Sequence, residues 1–214
     1  VALLLPNVYR AQALLAPVSG IEGGGSSLGS KLGGLAALAG VSGSGEDRQI
    51  EAMATLRSRS LTDSFIKKGN LLPILFEKKW DASTSQWRPM NPDDVPDAWD
   101  GFKVFDSKVR RITVDRQTNL VTLTVDWTDP KLAAAWVTGL VEQTNDLLRQ
   151  RAVSRANNNL EFLNEQLAKT SVLEVRQTIF KLIENEVKTI MLAQSSSEYA
   201  FKIIDAAVIP REQN

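Results

Sequence analysis

Over a long part of the chain, apolar residues recur with the period of an α-helix. Apolar or small residues recur every three or four positions from 133 to 167, and no proline interrupts them. Asp129 can cap free backbone N–H groups, and Pro130 fits a first turn because its missing N–H has no partner there. The pattern predicts a helix from about 130 to 169, on the order of 60 Å long at 1.5 Å per residue. Such a helix is too long to pack wholly against a small sheet.

A second helical pattern follows after a short turn. The residues "SVLE" at 171–174 predict a capping box, in which Ser171 and Glu174 satisfy each other's free backbone donors. The residues of this helix expected to face inward are Val175, Ile179, Leu182, Val187, Ile190 and Met191. Because the turn is short, the two helices are expected to form an antiparallel hairpin over residues 130–195.

Strict alternation of apolar and polar residues predicts strands on both sides of this hairpin. Residues 7–16 predict one strand, residues 109–127 predict a β-hairpin with the turn "RQTN", and the run from 201 to 209 predicts a last strand. The positions expected to face the core are Tyr9, Ala11, Ala13 and Leu15, and on the second strand of the β-hairpin Val121, Leu123, Val125 and Trp127. The first and last strands can pair in one sheet, which would put both chain ends on the same side.

The chain between residues 17 and 109 predicts two short helices and two loops. The apolar residues expected to line the helices are Ile50, Met53, Ala54 and Leu56 in the first, and Leu61, Phe65 and Ile66 in the second, before a stop at Gly69–Asn70. The proline-rich residues 82–98 predict a loop with Trp87 and Trp99 as anchors. Residues 20–45 hold ten of the 13 glycines, too many for a regular element, and predict a long loop.

These elements predict an α+β fold. A small mixed sheet packed with helices would form a base from residues 1–129 and 196–214. The long antiparallel helical hairpin, residues 130–195, would protrude from this base.

The composition of the chain excludes several kinds of catalytic and metal site and disfavours one class of partner. Lys and Arg number 25 and Asp and Glu number 25, so the net charge is zero, which argues against nucleic acid as the main partner. His and Cys are absent, which removes thiol nucleophiles, disulfides, Cys/His zinc sites and the commonest general base. No stretch reaches the roughly 18 apolar residues of a membrane span. The first residues, "VALLL", are either the stub of such a span or the start of a buried strand.

Two motifs come close to known ligand sites. The residues "GGGSSLGSK" at 23–31 nearly match a phosphate-binding loop, but the lysine is displaced and no hydroxyl residue follows it. Asp93, Asp94, Asp97 and Asp100 lack the spacing of a calcium loop. A carboxylate pair for glycoside hydrolysis stays open, although aspartates in a proline-rich loop are usually solvated turn residues. We therefore expect no catalytic residue, cofactor or metal site.

Two further groups of side chains are candidates for binding a ligand or another copy of the chain. The five tryptophans (Trp80, Trp87, Trp99, Trp127 and Trp136) could stack on sugars, but core packing and loop anchoring explain them better. Arg149, Arg151 and Arg155 lie on the long predicted helix, where charged residues are usually solvated. In an oligomer, Arg149 and Arg155 could instead meet Glu161 or Glu165 of a neighbouring copy.

Four segments of the chain resemble the polysaccharide chain-length determinants, the Wzz-type co-polymerases. The segments are "LPNVYRAQALLAP", "LRSRSLTDSFI", "WTDPKLAAAWVTGLVEQTN" and "SSSEYAFKIIDAAVIPREQ", and they occur in the order seen in that family. The last is the most specific, because family members continue through its proline into the membrane.

The resemblance implies a bacterial inner-membrane protein whose periplasmic part is this chain, cut next to a transmembrane helix at each end. It implies a ring of identical subunits that acts with a polysaccharide polymerase on lipid-linked glycan and sets the length of O-antigen or a related polymer. Family members catalyse nothing themselves. The base of the predicted fold would then lie next to the membrane.

Two other functions are alternatives to this interpretation, and the role of one segment is a separate hypothesis. A periplasmic adaptor of an export system also carries a projecting helical hairpin, normally flanked by a lipoyl-like β domain. A small glycan hydrolase would use two of the loop aspartates, which Asp-to-Asn changes would test. Residues 20–45 could touch polymerase or glycan near the membrane or the ring lumen; deletion of residues 23–42 with no change in polymer length would remove that hypothesis.

Overall fold

The computed structural model describes residues 7–18, 45–88 and 91–212, with the backbone alone at positions 45 and 46. The first residues "VALLL", most of the glycine-rich stretch and the near-match at 23–31 lie outside the described residues. In chain order the elements are β1 (Tyr9–Pro17), α1 (Gly45–Arg57), α2 (Arg59–Lys68), α3 (Leu72–Leu75), β2 (Trp80–Asp81), β3 (Gln86–Trp87), α4 (Ala98–Val104), β4 (Arg110–Val114), β5 (Val121–Trp127), α5 (Pro130–Lys169), α6 (Leu173–Ser195) and β6 (Phe201–Asp205).

The main sheet has four strands in the order β4-β5-β1-β6, and each neighbouring pair is antiparallel. The predicted α+β fold is therefore confirmed, but the sheet is antiparallel rather than mixed. The reason is that β1 lies between β5 and β6, the two strands that run in the same direction. The pairing of the first and last strands is also confirmed, with Leu15 opposite Ile203 and an irregularity next to Leu14.

One face of this sheet carries the core. The core-facing positions predicted for β1 and β5 are confirmed, because the apolar residues buried there are Ala11, Ala13, Leu15, Val121, Leu123 and Val125. Tyr9, at the start of β1, is half-buried, and Thr124 on β5 is buried although it lies between two core-facing positions. The first half of α5 packs on this face through Trp136, Leu140 and Leu148 among others. Trp127 lies half-buried at the edge of the same core, with its ring centroid 5.0 Å from that of Trp136.

The short helices follow the prediction only in part. In α2, Leu61 and Ile66 are buried as expected. In α1, the core side holds Ala52, Thr55 and Leu56, whereas Ile50 is exposed, as is Ala54. The prediction is right for Leu56 and for Met53, which packs against the core, and wrong for Ile50 and Ala54. The reason is that α1 has apolar residues on two sides, and the periodicity cannot tell which side meets α5.

The long helix α5 has the predicted bounds and the predicted start. Asp129 accepts hydrogen bonds from the backbone N–H groups of Lys131 and Leu132, at 2.7 and 3.1 Å. The helix runs through 40 residues. Its buried residues from Ala133 to Leu148 belong to the sheet's core, and the part beyond Leu148 continues away from the sheet with α6 alongside it.

The turn between α5 and α6 is built differently from the prediction. Helix α6 starts at Leu173 after Val172, which makes no side-chain cap, so the capping box of Ser171 and Glu174 is wrong. Ser171 lies too far before the first helical residue to reach the free N–H groups. Instead Arg176 donates to the backbone oxygens of Leu167 and Thr170, at 3.2 and 3.3 Å, and so satisfies carbonyl groups at the end of α5.

Asn145 fixes the place where the chain rejoins the sheet after the hairpin. It lies on α5 with 4% of its surface exposed. Its Oδ1 accepts from the backbone N–H groups of Ala200 and Phe201, both at 2.8 Å, and its Nδ2 donates to the Phe201 oxygen at 3.0 Å. A single side chain thus satisfies three backbone groups at the start of β6.

We expect Asn145→Ala to lower the free energy of unfolding by roughly 2–4 kcal/mol, because buried backbone groups lose their partners. Urea denaturation of the 214-residue chain measures this change. The matched control is Asn158→Ala, at an exposed position of the same helix, which is expected to change stability by less than about 0.5 kcal/mol. Equal effects of the two changes would contradict the role given to Asn145.

Candidate functional site

The part of the hairpin beyond Leu148 lies outside the core of the sheet and offers its own surface. Ala156 on α5 and Ile179 on α6 are buried where the two helices meet. Leu182 and Ile190 are half-buried on the same side of α6. The inward positions predicted for these three α6 residues are therefore confirmed.

Helix α6 has a second apolar side that faces away from α5. We call this the α6 stripe; its members and their exposed fractions are Leu173 (63%), Phe180 (52%), Val187 (42%) and Met191 (64%). They are seven, seven and four residues apart, so at about 100° per residue they lie within one narrow sector of the helix. The inward positions predicted for Val187 and Met191 are wrong, because they belong to this stripe. Val175, also predicted inward, lies about 40° around the helix from Ile179, on the side of α5, but is 45% exposed.

The predicted oligomer contacts do not form one cluster in the single chain. Arg149 binds Asp146 of its own helix at 2.6 Å, and Glu165 lies 3.6 Å from Lys169. Arg155 Nη2 is 3.6 Å from Glu51 Oε1 on α1.

Their directions differ as well. Glu161 and Glu165 are one turn apart and share a side of α5, whereas Arg149 and Arg155 point about 120° apart. Contact of these four residues with a neighbouring copy stays a prediction.

A cleft of about 490 Å³ lies at the root of the hairpin. We call it the hairpin-root cleft; the charged, amide and aromatic residues that line it are Asp47, Arg48 and Glu51 from α1, Arg151, Arg155, Asn159 and Phe162 from α5, Glu186 from α6, and Tyr199 just before β6. The floor includes Leu148 and Ala200. Of these lining residues, the sequence had drawn attention to Arg151 and Arg155 alone. The others lie far apart in the chain and form no motif.

Two of the loop aspartates cap the start of a helix. Asp97 and Asp100 form a capping box for α4: the Asp100 N–H donates to Asp97 Oδ1 at 2.9 Å, and the Asp97 N–H donates to Asp100 Oδ2 at 3.4 Å. Hydrogen bonds from the Lys103 side chain and the Asp97 backbone hold the pKa of Asp100 below its ordinary value. A general acid for glycoside hydrolysis needs a raised pKa instead.

The tryptophans mostly act as packing anchors. Trp136 is buried in the core, and Trp80 and Trp87 pack edge to face in the small β2–β3 hairpin, with centroids 4.9 Å apart. Trp99 is more exposed, and the Arg59 guanidinium lies 4.4 Å from the centroid of its ring. This cation–π contact ties α4 to α2.

The described part of the chain holds neither a group of metal-binding side chains nor a membrane-spanning helix. Within residues 7–18, 45–88 and 91–212, no three side chains of His, Cys, Asp or Glu are grouped so that they could hold a metal ion. None of the helices in those ranges has the length and apolar character that a membrane crossing requires.

The geometry defines an α+β domain with a projecting helical hairpin. No protein-family model and no curated protein match the sequence. Among solved structures, the chain is similar to a fragment of WzzB, a polysaccharide co-polymerase from Salmonella Typhimurium. The alignment covers 97% of this chain and 98% of that one, with a TM-score of 0.41 and 11% sequence identity. At this TM-score and identity the likeness says nothing of what this chain does.

We expect Asp97→Ala to lower the free energy of unfolding by about 1 kcal/mol, because α4 loses its N-cap. Asp93→Ala is the matched control, since the Asp93 side chain caps no helix in the described structure, and it is expected to stay within about 0.5 kcal/mol. Thermal or urea denaturation of both variants measures the difference. A hydrolytic activity on glycan that both changes abolish would instead favour the hydrolase interpretation.

Proposed function

We propose that this chain is the periplasmic part of a bacterial inner-membrane oligomer that sets the length of O-antigen or a related polysaccharide. Its partners are further copies of itself, a polysaccharide polymerase and lipid-linked glycan, and flanking helices hold it in the membrane. It acts by binding and geometry and makes or breaks no bond. The proposal joins the four sequence segments that resemble the co-polymerases to one observation, the α6 stripe.

The α6 stripe supports assembly through the hairpin. A large apolar side chain contributes about 1.5–3 kcal/mol when it is fully buried, so four exposed ones on one side of a helix favour association. Spacings of seven and four residues are those of helices that pack side by side over several turns. The partner that best fits a helix face repeated in every subunit is another copy of the same hairpin.

The direction of the elements supports attachment of the base to one surface. Because β1 and β6 are antiparallel, the start of β1 and the end of β6 lie toward the same end of the sheet. Helix α5 begins at that end, after Trp127, which pairs with Tyr9, and runs toward the other end, where Asn145 binds Phe201. The hairpin therefore projects away from the side on which the first and last strands leave the sheet. A membrane below the base and a hairpin pointing into the periplasm fit this arrangement.

The rival functions have less support. The hydrolase interpretation needs a carboxylic acid with a raised pKa, whereas Asp97 and Asp100 cap a helix and the pKa of Asp100 is lowered. The adaptor interpretation expects a lipoyl-like β domain beside the hairpin. The described residues contain instead one four-stranded antiparallel sheet and the two-stranded β2–β3 hairpin.

The function is tested first by deleting the gene that encodes this chain and analysing lipopolysaccharide on a gel. We expect a clustered ladder to become random and to recover when the gene is restored. An untouched ladder would overturn the assignment to this polymer and would bring the export adaptor forward.

The role of the α6 stripe is tested by Val187→Glu, which places a charge in the proposed contact between copies. We expect crosslinking of the gene product in cells to give fewer oligomers and the ladder to lose its clustering. The matched control is Val175→Glu, on the same helix and 45% exposed against 42% for Val187. It lies about 200° around the helix from Leu173 and is expected to leave both readouts unchanged. Equal behaviour of the two variants would contradict assembly through the stripe.

A further inference from the structure

The hairpin-root cleft is lined by two arginines, Arg48 and Arg151, that have no partner among the described residues. Arg48 and Arg151 enter it from α1 and α5. Among the described residues, neither guanidinium has a hydrogen bond or an ion pair. Arg48 is nevertheless half-buried, and a charge withdrawn from water without a partner is costly. The cost would be offset by a ligand with negative charge.

The carboxylates of the cleft restrict what that ligand can be. Three carboxylates line the cleft, those of Asp47, Glu51 and Glu186. Glu51 lies 3.6 Å from Arg155, and Glu186 accepts a hydrogen bond from Asn159 at 2.9 Å. Glu51 and Glu186 keep acceptor capacity, because a carboxylate has about four lone-pair sites. They would repel a densely charged anion such as phosphate. They suit hydroxyl groups, which donate and accept at once.

The remaining lining residues add apolar surface of the right kind. Phe162 is 60% exposed at the cleft, and Tyr199 lies half-buried within it. A volume of about 490 Å³ falls in the usual range for small-ligand sites, about 300–1,000 Å³, which combine aromatic walls with a few polar groups. The ligand should therefore carry carboxylate as well as hydroxyl groups, and an apolar face.

We propose that the hairpin-root cleft binds a short stretch of acidic saccharide, one that contains a uronic acid. The guanidiniums of Arg48 and Arg151 bind its carboxylate, since the planar fork of arginine matches a carboxylate with two hydrogen bonds. Glu51, Glu186 and Asn159 bind sugar hydroxyls, and Phe162 and Tyr199 contact the ring faces. The proposal rests on the proposed function only in taking the polysaccharide as the source of this ligand.

The site is tested by titrating the 214-residue chain with trigalacturonate, followed by calorimetry. We expect saturable binding that Arg48→Gln and Arg151→Gln each weaken by about tenfold, the loss that follows removal of one charge-assisted hydrogen bond. The matched control is Arg149→Gln, two residues before Arg151 on α5 and paired with Asp146, which should change the affinity less than about twofold. Circular dichroism and thermal melts verify that each variant is folded.

Four outcomes would overturn the proposal. If neutral maltotriose bound as tightly as trigalacturonate, recognition of a carboxylate by the cleft would be rejected. Inorganic phosphate displacing trigalacturonate at equal concentration would reduce the cleft to a simple anion site. No saturable binding of trigalacturonate, or equal weakening by Arg149→Gln and Arg151→Gln, would remove the site altogether.

The gene deletion separates this proposal from the proposed function. A ladder that depends on the gene, together with a chain that binds no trigalacturonate, rejects the cleft and leaves the chain-length function standing. The opposite outcome is also possible: trigalacturonate binding requires Arg48 and Arg151, but deletion of the gene leaves the ladder unchanged. That outcome supports the saccharide site in the cleft and rejects the chain-length function.

Discussion

The contact between Asn145 and the start of β6 determines how the two parts of this chain are joined. The hairpin takes the chain far from the sheet, and the return must meet β1 in a defined register. Asn145 meets this need because its amide both accepts from two N–H groups and donates to one carbonyl. Aspartate lacks the donor, and an apolar residue would leave all three groups unsatisfied in a buried place. The position of the hairpin-root cleft depends on this contact, since Ala200 takes part in it and Tyr199 comes just before it.

The features that could be predicted from the sequence are those that local chemistry determines. Asp129 and Pro130 start α5 through hydrogen bonds and torsion angles within one turn, and the alternation in β1 and β5 reflects a core on one face of a sheet. The β4–β5 hairpin is local in the same sense. The antiparallel order of the sheet is not local, because it depends on β1 entering between two strands that lie over a hundred residues later in the chain.

The failures on α1 and α6 share one physical cause. Each helix carries apolar residues on two sides, and periodicity identifies those sides without saying which of them meets the core. Ile50 and Val187 were placed inward for this reason, and both are exposed. The cleft was missed for a different reason: its charged residues come from three helices, and only the folded chain brings Arg48 close to Arg151. Single arginines on solvent-exposed helices carry no sequence signal that they line a common cleft.

The continuity of α5 has a mechanical consequence. One unbroken helix packs in the core up to Leu148 and contacts α1 as far as Arg155, which lies 3.6 Å from Glu51. The arm beyond this contact, from Ala156 to Lys169, is about 20 Å long at 1.5 Å per residue. A tilt of about 5° where the arm begins therefore moves its end by about 2 Å, and a force at the end is transmitted along the same helix to the sheet. In the proposed assembly, copies that pack along α6 would share such a tilt, so that a change at one base would move the hairpin ends of its neighbours.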